Sequence, residues 1–312
     1  MYLSNLNIPD NGNKVMIPAN MRACRTSDGI GCRDPFILLY DKHYYLYRTR
    51  NGKIECLIGE DLEHWSEPVV VYDPPGDFHG IKDLFWAPEC HHYKGMFYIF
   101  TSVYSKTYNH RVISVYRADN PLGPFEDIAG GCVSPKDWDA IDGTLYIDEE
   151  KQPWMVFVHE WTSCPDKIGG MVAAKLSEDF THFISEPMEL FRANDPLWTD
   201  NAITDGPYMY KTDGHLYMIW SNFTPNNGYA VALAESENGR LDGKWLHRAE
   251  PIFQKGRLPH YLTDGGHGSL FLDKMGQLRV VLHGPNVPPK GEYEHVQIYR
   301  VVLEKEEWFF LP

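Results

Sequence analysis

One pattern recurs five times along the chain and leaves few folds open to it. A short polar or acidic opening leads into an apolar strand, then a tight turn and a second apolar strand. The openings are Cys32-Arg33-Asp34-Pro35, Ala87-Pro88-Glu89-Cys90, Asp142-Gly143-Thr144-Leu145, Asp205-Gly206-Pro207-Tyr208 and Gly266-His267-Gly268-Ser269. The turns that follow, such as Asp41-Lys42, Lys94-Gly95 and Asp213-Gly214, suit two-residue hairpins. Units of roughly 40–60 residues built from short strands are the signature of a propeller, because one blade alone cannot bury its apolar faces. The expected fold is therefore all-β: a single five-bladed β-propeller of four-stranded antiparallel blades over residues 1–312. The blades fall at about 34–80, 86–130, 141–192, 204–254 and 265–312.

Two further expectations concern the periphery. Asp61–Pro68 and Asp179–Pro187 echo each other and read as outer strands of the first and third units. Residues 1–30, with a strand-like Lys14–Pro18, are placed to close the ring against the last long strand, Val296–Leu303.

Composition narrows the partners. Aromatic residues make up 14% of the chain, which suits strands and also a pocket that stacks on sugar rings. The formal charge of -14, with no Lys/Arg run, argues against nucleic acid and against an anionic membrane. Six scattered cysteines show no metal-ligand spacing and read as free thiols. Neither a leader nor a membrane span is legible, so the chain as written reads as cytoplasmic; a leader ahead of it would make the protein periplasmic or secreted. Oligomeric state is not legible.

Propeller topology starts every innermost strand at the same face, so Asp34, Glu89, Asp142, Asp205 and His267 converge at one mouth. The second strands return there, adding Arg48-Thr49, Thr101-Ser102, His159-Glu160-Trp161, Ser221-Asn222 and His283. Any one Asp before Pro or Gly is an ordinary turn former. Three Asp at equivalent openings, beside a Glu and a His, instead read as a functional cluster whose like charges drive their pKa values apart.

These residues resemble glycoside hydrolase family 43. Arg33-Asp34-Pro35, Trp86-Ala87-Pro88-Glu89, Ile141-Asp142-Gly143-Thr144, Asp205-Gly206-Pro207 and Gly266-His267-Gly268-Ser269 match its five blade openings in order, from about residue 24 onward. The resemblance implies an inverting exo-glycosidase on oligosaccharides or glycosides of plant pentoses, either an α-L-arabinofuranosidase or a β-D-xylosidase. It makes Asp34 the general base, Asp142 the carboxylate that tunes the acid, and His267 an axial histidine beside a water-bound calcium ion or a water cluster; no organic cofactor is implied. The family places Glu at the general-acid position where this chain has Asp205, one methylene shorter. Glu160 is the rival acid, and Arg33, Trp86, Glu89, Trp161 and His267 are candidates for contacting the sugar. Trp220 is a further stacking candidate. Three alternatives stay open: a β-D-galactofuranosidase of the same fold, a binding-only propeller lacking its acid, and a phosphorylase using Arg33, Arg48 and His283.

Overall fold

The computed structural model describes residues 25–26, 29–226, 228–285, 294–304 and 307–312. Twenty of their strands form five antiparallel four-stranded sheets, each laid down in chain order from its innermost strand outward. The innermost strands are Phe36–Tyr40, Gly80–Tyr93, Ala140–Ile147, Asp205–Thr212 and Gly266–Leu272. This is the five-bladed propeller read from the repeat. No helix among the described residues is long and apolar enough to cross a membrane.

Local chemistry explains the hairpins. Asp41-Lys42, Lys94-Gly95 and Asp213-Gly214 all have both φ angles positive. That is the mirror-image turn whose twist matches paired strands, and Asp, Asn and Gly tolerate it best. The strands between are apolar nearly throughout, because both faces of each blade are covered by neighbouring blades.

Aromatic pairs sit at all five blade junctions. Tyr72 meets Tyr116 at 4.3 Å, Phe100 meets Phe180 at 5.9 Å, and Phe191 meets Trp220 at 5.1 Å between ring centroids. Tyr210 meets Trp308 at 5.5 Å and Phe271 meets Tyr44 at 6.2 Å, which completes the circle. Each such pair contributes roughly 0.5–1.5 kcal/mol beyond the area it buries. Much of the aromatic excess therefore serves the seams. Trp220 is fully buried in one of them and is not available to a sugar.

Two peripheral expectations are corrected. His64–Trp65 pairs with Arg25–Thr26, while the fourth strand of blade 1 is Val69–Tyr72. In blade 3 the fourth strand is Met188–Arg192, and Phe183 makes only an isolated bridge to Leu176. The echoing segments are turns that precede the outer strands: Ser66 N–H donates to the Ile58 carbonyl (2.8 Å) and Ile184 N–H to the Lys175 carbonyl (2.8 Å). Ring closure is seen at residues 30–32. Gly31 bridges His295, and Cys32 N–H donates to the Glu294 carbonyl at 2.7 Å. Arg48 secures this seam by donating to the Gly31 carbonyl and to Glu55, both at 2.8 Å. Lys14–Pro18 lies outside the described residues, as does Cys24; Cys32, Cys56, Cys90, Cys132 and Cys164 are free thiols.

Candidate active site

The five inner strands open with one backbone device. Asp34, Ala87, Asp142, Gly206 and His267 all have φ between 45° and 56°, and each is followed by Pro or Gly. In blades 2 to 5 the strand register also slips at this point, as in a β-bulge. A left-handed residue here re-aims its side chain from the sheet toward the mouth, at a cost of order 1–3 kcal/mol for a non-glycine. Glu89 therefore does not belong to the ring; Ala87 holds that place. Glu89 lies two residues further in, buried, and its carboxylate is 2.9 Å from His91 Nε2.

Side chains from the returning second strands stitch three of the openings to the blade before them. Asp142 N–H donates to Ser102 Oγ at 2.9 Å, and His267 N–H to Ser221 Oγ at 2.8 Å. Asp34 N–H lies 3.2 Å from His283 Nδ1. The register puts Val158 in the corresponding place of blade 3, where no acceptor is available. Gly206 N–H turns instead to Asp142 Oδ2, at 3.0 Å. That bond ties the Asp142 carboxylate to the blade that carries Asp205. A Cβ on Gly206 would come within 2.7 Å of the His267 ring, so the close packing here requires glycine.

The carboxylates divide by environment. Burial alone would raise Asp34, but His267, the His283 contact and Arg33 outweigh it and hold Asp34 well below the ordinary range. Its Oδ1 is 3.2 Å from Nδ1 of both histidines and 3.7 Å from Arg33 Nε. Burial and the neighbouring Asp142 charge push Asp205 the other way, up to about 7, with Asp34 and Glu160 adding to the shift against His267. Asp142 is raised by burial and by Asp34, opposed by His267 at 3.7 Å. The imidazole of His267 is itself raised: burial disfavours its charge, and the three aspartates more than compensate. One carboxylate is thus held ionised while another keeps its proton well above the ordinary carboxylate range, which is the division of labour that acid–base hydrolysis needs.

The remaining candidates surround this centre. The Glu160 carboxyl, half-buried, is pushed up to about 7 by burial and by Asp139 and Asp142. Trp161 is exposed beside it, and Trp86 is exposed with the Arg111 guanidinium 3.6 Å from its ring centre. Arg33 is largely exposed and also lies 3.5 Å from Glu294. Arg48 is buried against Glu55, which withdraws it as a phosphate ligand and weakens the phosphorylase alternative. Sequence reasoning missed Tyr229 and Arg111. Tyr229 O–H donates to Asp205 Oδ2 at 3.0 Å, and Arg111 N–H donates to Asp139 Oδ1 at 3.1 Å.

The donors do not suit a caged calcium ion. Calcium takes roughly six to eight oxygen ligands. Among the described residues no group of three or more His, Cys, Asp or Glu is placed to hold a metal. His267 offers nitrogen, and its Nδ1 already faces Asp34 and Asp142.

An extracellular exo-alpha-(1->5)-L-arabinofuranosidase of Cellvibrio japonicus is 29% identical over 245 residues, 70% of this chain and 67% of that protein. The crystal structure of an endo-arabinase from Bacteroides thetaiotaomicron matches with a TM-score of 0.81 at 31% identity, covering 92% of this chain and 99% of that one. An alpha-L-arabinofuranosidase from Lactobacillus brevis shares the fold, with a TM-score of 0.73 at 20% identity and coverage of 91% and 94%. The model of glycosyl hydrolases family 43 matches residues 31–309. With that match running from the ring-closing residues to the last strand of the fifth blade, the chain belongs to glycosyl hydrolase family 43 and is a glycosidase.

Proposed function

We propose that the protein is an inverting hydrolase of α-L-arabinofuranosides, acting on chain ends of arabinan fragments. The opposed protonation preferences of Asp34 and Asp205 at one mouth carry this reading. Asp34 Oδ1 is occupied by two imidazoles, so Oδ2 is the oxygen left to accept a proton from water. Asp205 delivers its proton to the leaving oxygen on the other side of the anomeric carbon, while Asp142 and His267 tune it. Inversion needs about 6.5–9.5 Å between the two carboxyls, which leaves room for the water. Arg33, Trp86 and Trp161, all exposed, are the groups this reading assigns to the sugar. The names of the Cellvibrio and Bacteroides relatives favour an arabinose substrate, with β-D-xylosides as the second choice. The extracellular relative likewise favours export over the cytoplasmic expectation.

Glu160 is the second reading for the acid. Its carboxyl is pushed equally high, and it is among the charges that raise Asp205. In both readings the acid works only while protonated, so activity is lost as pH rises through about 7. The base works only while ionised, so the acidic limb lies below the ordinary carboxylate range. A kcat/KM profile with its optimum in mild acid is expected.

Proton NMR of the reaction tests the core of the proposal. Hydrolysis of an α-L-arabinofuranosyl disaccharide should first yield β-arabinofuranose, before mutarotation. First appearance of the α-anomer would overturn inversion, and cleavage of xylobiose alone would move the substrate to β-D-xylosides. Product sizes from a linear arabinan distinguish the modes: monosaccharide release marks exo action and early oligomers mark endo action.

A further inference from the structure

The hydroxyl of Tyr229 meets Asp205 in a way that the hydrolytic reading leaves unused. Tyr229 opens the third strand of blade 4, Tyr229–Ser236, two strands further from the axis than the catalytic openings. It is nevertheless threaded back to the centre. Its O–H donates to Asp205 Oδ2 at 3.0 Å. Its ring lies nearly parallel to the His283 imidazole, with centroids 5.4 Å apart and planes at 18°. His283 in turn stands 3.2 Å from Asp34 Oδ1. One tyrosine therefore touches Asp205 through its hydroxyl and the base's histidine through its ring.

The surroundings are shaped to admit this side chain. Gly265 N–H donates to the Tyr229 carbonyl at 3.1 Å. A Cβ on Gly266 would collide with the Tyr229 ring, so this strand approaches only because residue 266 has no side chain. Phe223 packs on the ring at 4.8 Å. Burial and the Asp205, Asp34 and Asp142 charges hold the phenol well above its ordinary pKa, so it stays a donor through the working range.

We propose that Tyr229 is the positioning residue for the acid: its hydroxyl occupies Oδ2 of Asp205, leaves the transferable proton on Oδ1, and fixes that oxygen relative to the base through the stack on His283. This rests on Asp205 being the acid. A carboxyl on one methylene has two free torsions, and a single directed hydrogen bond removes most of that freedom. The bond also favours the ionised form of Asp205, counteracting the Asp142, Asp34 and Glu160 charges in company with His267 and Arg33.

Four enzymes decide it: the wild type, Tyr229→Phe, the protein with 3-fluorotyrosine at 229 and Asp205→Asn, each assayed across pH on an arabinofuranosyl disaccharide and on p-nitrophenyl α-L-arabinofuranoside. The phenylalanine keeps the ring, the stack and the packing, and a thermal melt verifies that it is folded. Expected for Tyr229→Phe is a fall in kcat on the disaccharide of about 5- to 50-fold with KM within about twofold. The nitrophenyl glycoside, whose leaving group needs little acid, should change by less than about threefold. The basic limb on the disaccharide should move upward by about half a unit to one unit, because ionised Asp205 has lost a donor. Incorporation of 3-fluorotyrosine at 229, a stronger donor, should move that limb downward. An unmoved limb in both variants, or equal losses on both substrates, would reduce Tyr229 to packing and overturn the proposal. Disaccharide hydrolysis that survives in Asp205→Asn overturns the underlying reading instead, and with it the proposal.

Discussion

Asp34→Asn is expected to lower hydrolysis of the disaccharide and of the nitrophenyl glycoside alike, by on the order of 10²–10⁴-fold. Water must be activated whichever group leaves, so a good leaving group gives no relief. The substitution is clean structurally. Residue 34 sits at φ 51°, a region Asn occupies more readily than other side chains, so the strand opening is kept. The side-chain oxygen also still faces His267 and His283. Only the charge and the capacity to take a proton are lost. That charge is one of those raising Asp205, so the basic limb of whatever activity remains should move to lower pH. Retention of more than about a tenth of wild-type activity on both substrates would remove Asp34 from the role of base.

The second large effect separates the two candidate acids. Asp205→Asn should abolish disaccharide hydrolysis by a comparable factor and leave the nitrophenyl glycoside within about tenfold of wild type. Glu160→Gln should then be mild on both. The reverse result assigns the acid to Glu160. Stability offers an independent check on Asp205. A carboxyl whose folded pKa is raised binds its proton more tightly in the folded state. The native state is therefore progressively penalised as pH climbs from the unfolded value near 4 toward about 7. An amide escapes that penalty. At pH 8 Asp205→Asn should melt a few degrees above wild type, a gain on the order of 2 kcal/mol, and the gain should vanish at pH 4. Equal melting temperatures at pH 8 would mean that Asp205 is not held protonated by the fold.

The repeat made the propeller legible because each blade writes its own turn chemistry and strand pair into consecutive residues. Asp34, Asp142 and His267 were legible for the same reason: a left-handed opening followed by Pro or Gly is a local signal. Glu89 was misplaced by two residues because residue type was matched where backbone conformation should have been. The pairs Ala87-Pro88 and Gly206-Pro207 carry the shared signal and hold no acid. The outer strands misled in a similar way, since the Asp61 and Asp179 echoes lead into the fourth strands, Val69–Tyr72 and Met188–Arg192, instead of being them. Tyr229 left no trace at all. It is one of 19 tyrosines in an aromatic-rich chain, and only the threading of blade 4 past Gly266 brings its hydroxyl to Asp205.

The ring of left-handed openings has a consequence for how such an enzyme can lose its activity. At residues 34 and 142 Asn meets the left-handed backbone about as well as Asp does, and that backbone says nothing about charge. On the proposed roles, catalytic competence and backbone fitness are thus uncoupled at these two positions. A chain with Asn there would keep an acceptor for Gly206 N–H, would fold and express much as this one does, and on the proposed roles would be silent on every glycoside. Screens that report folding would pass it, and only turnover would reveal the loss.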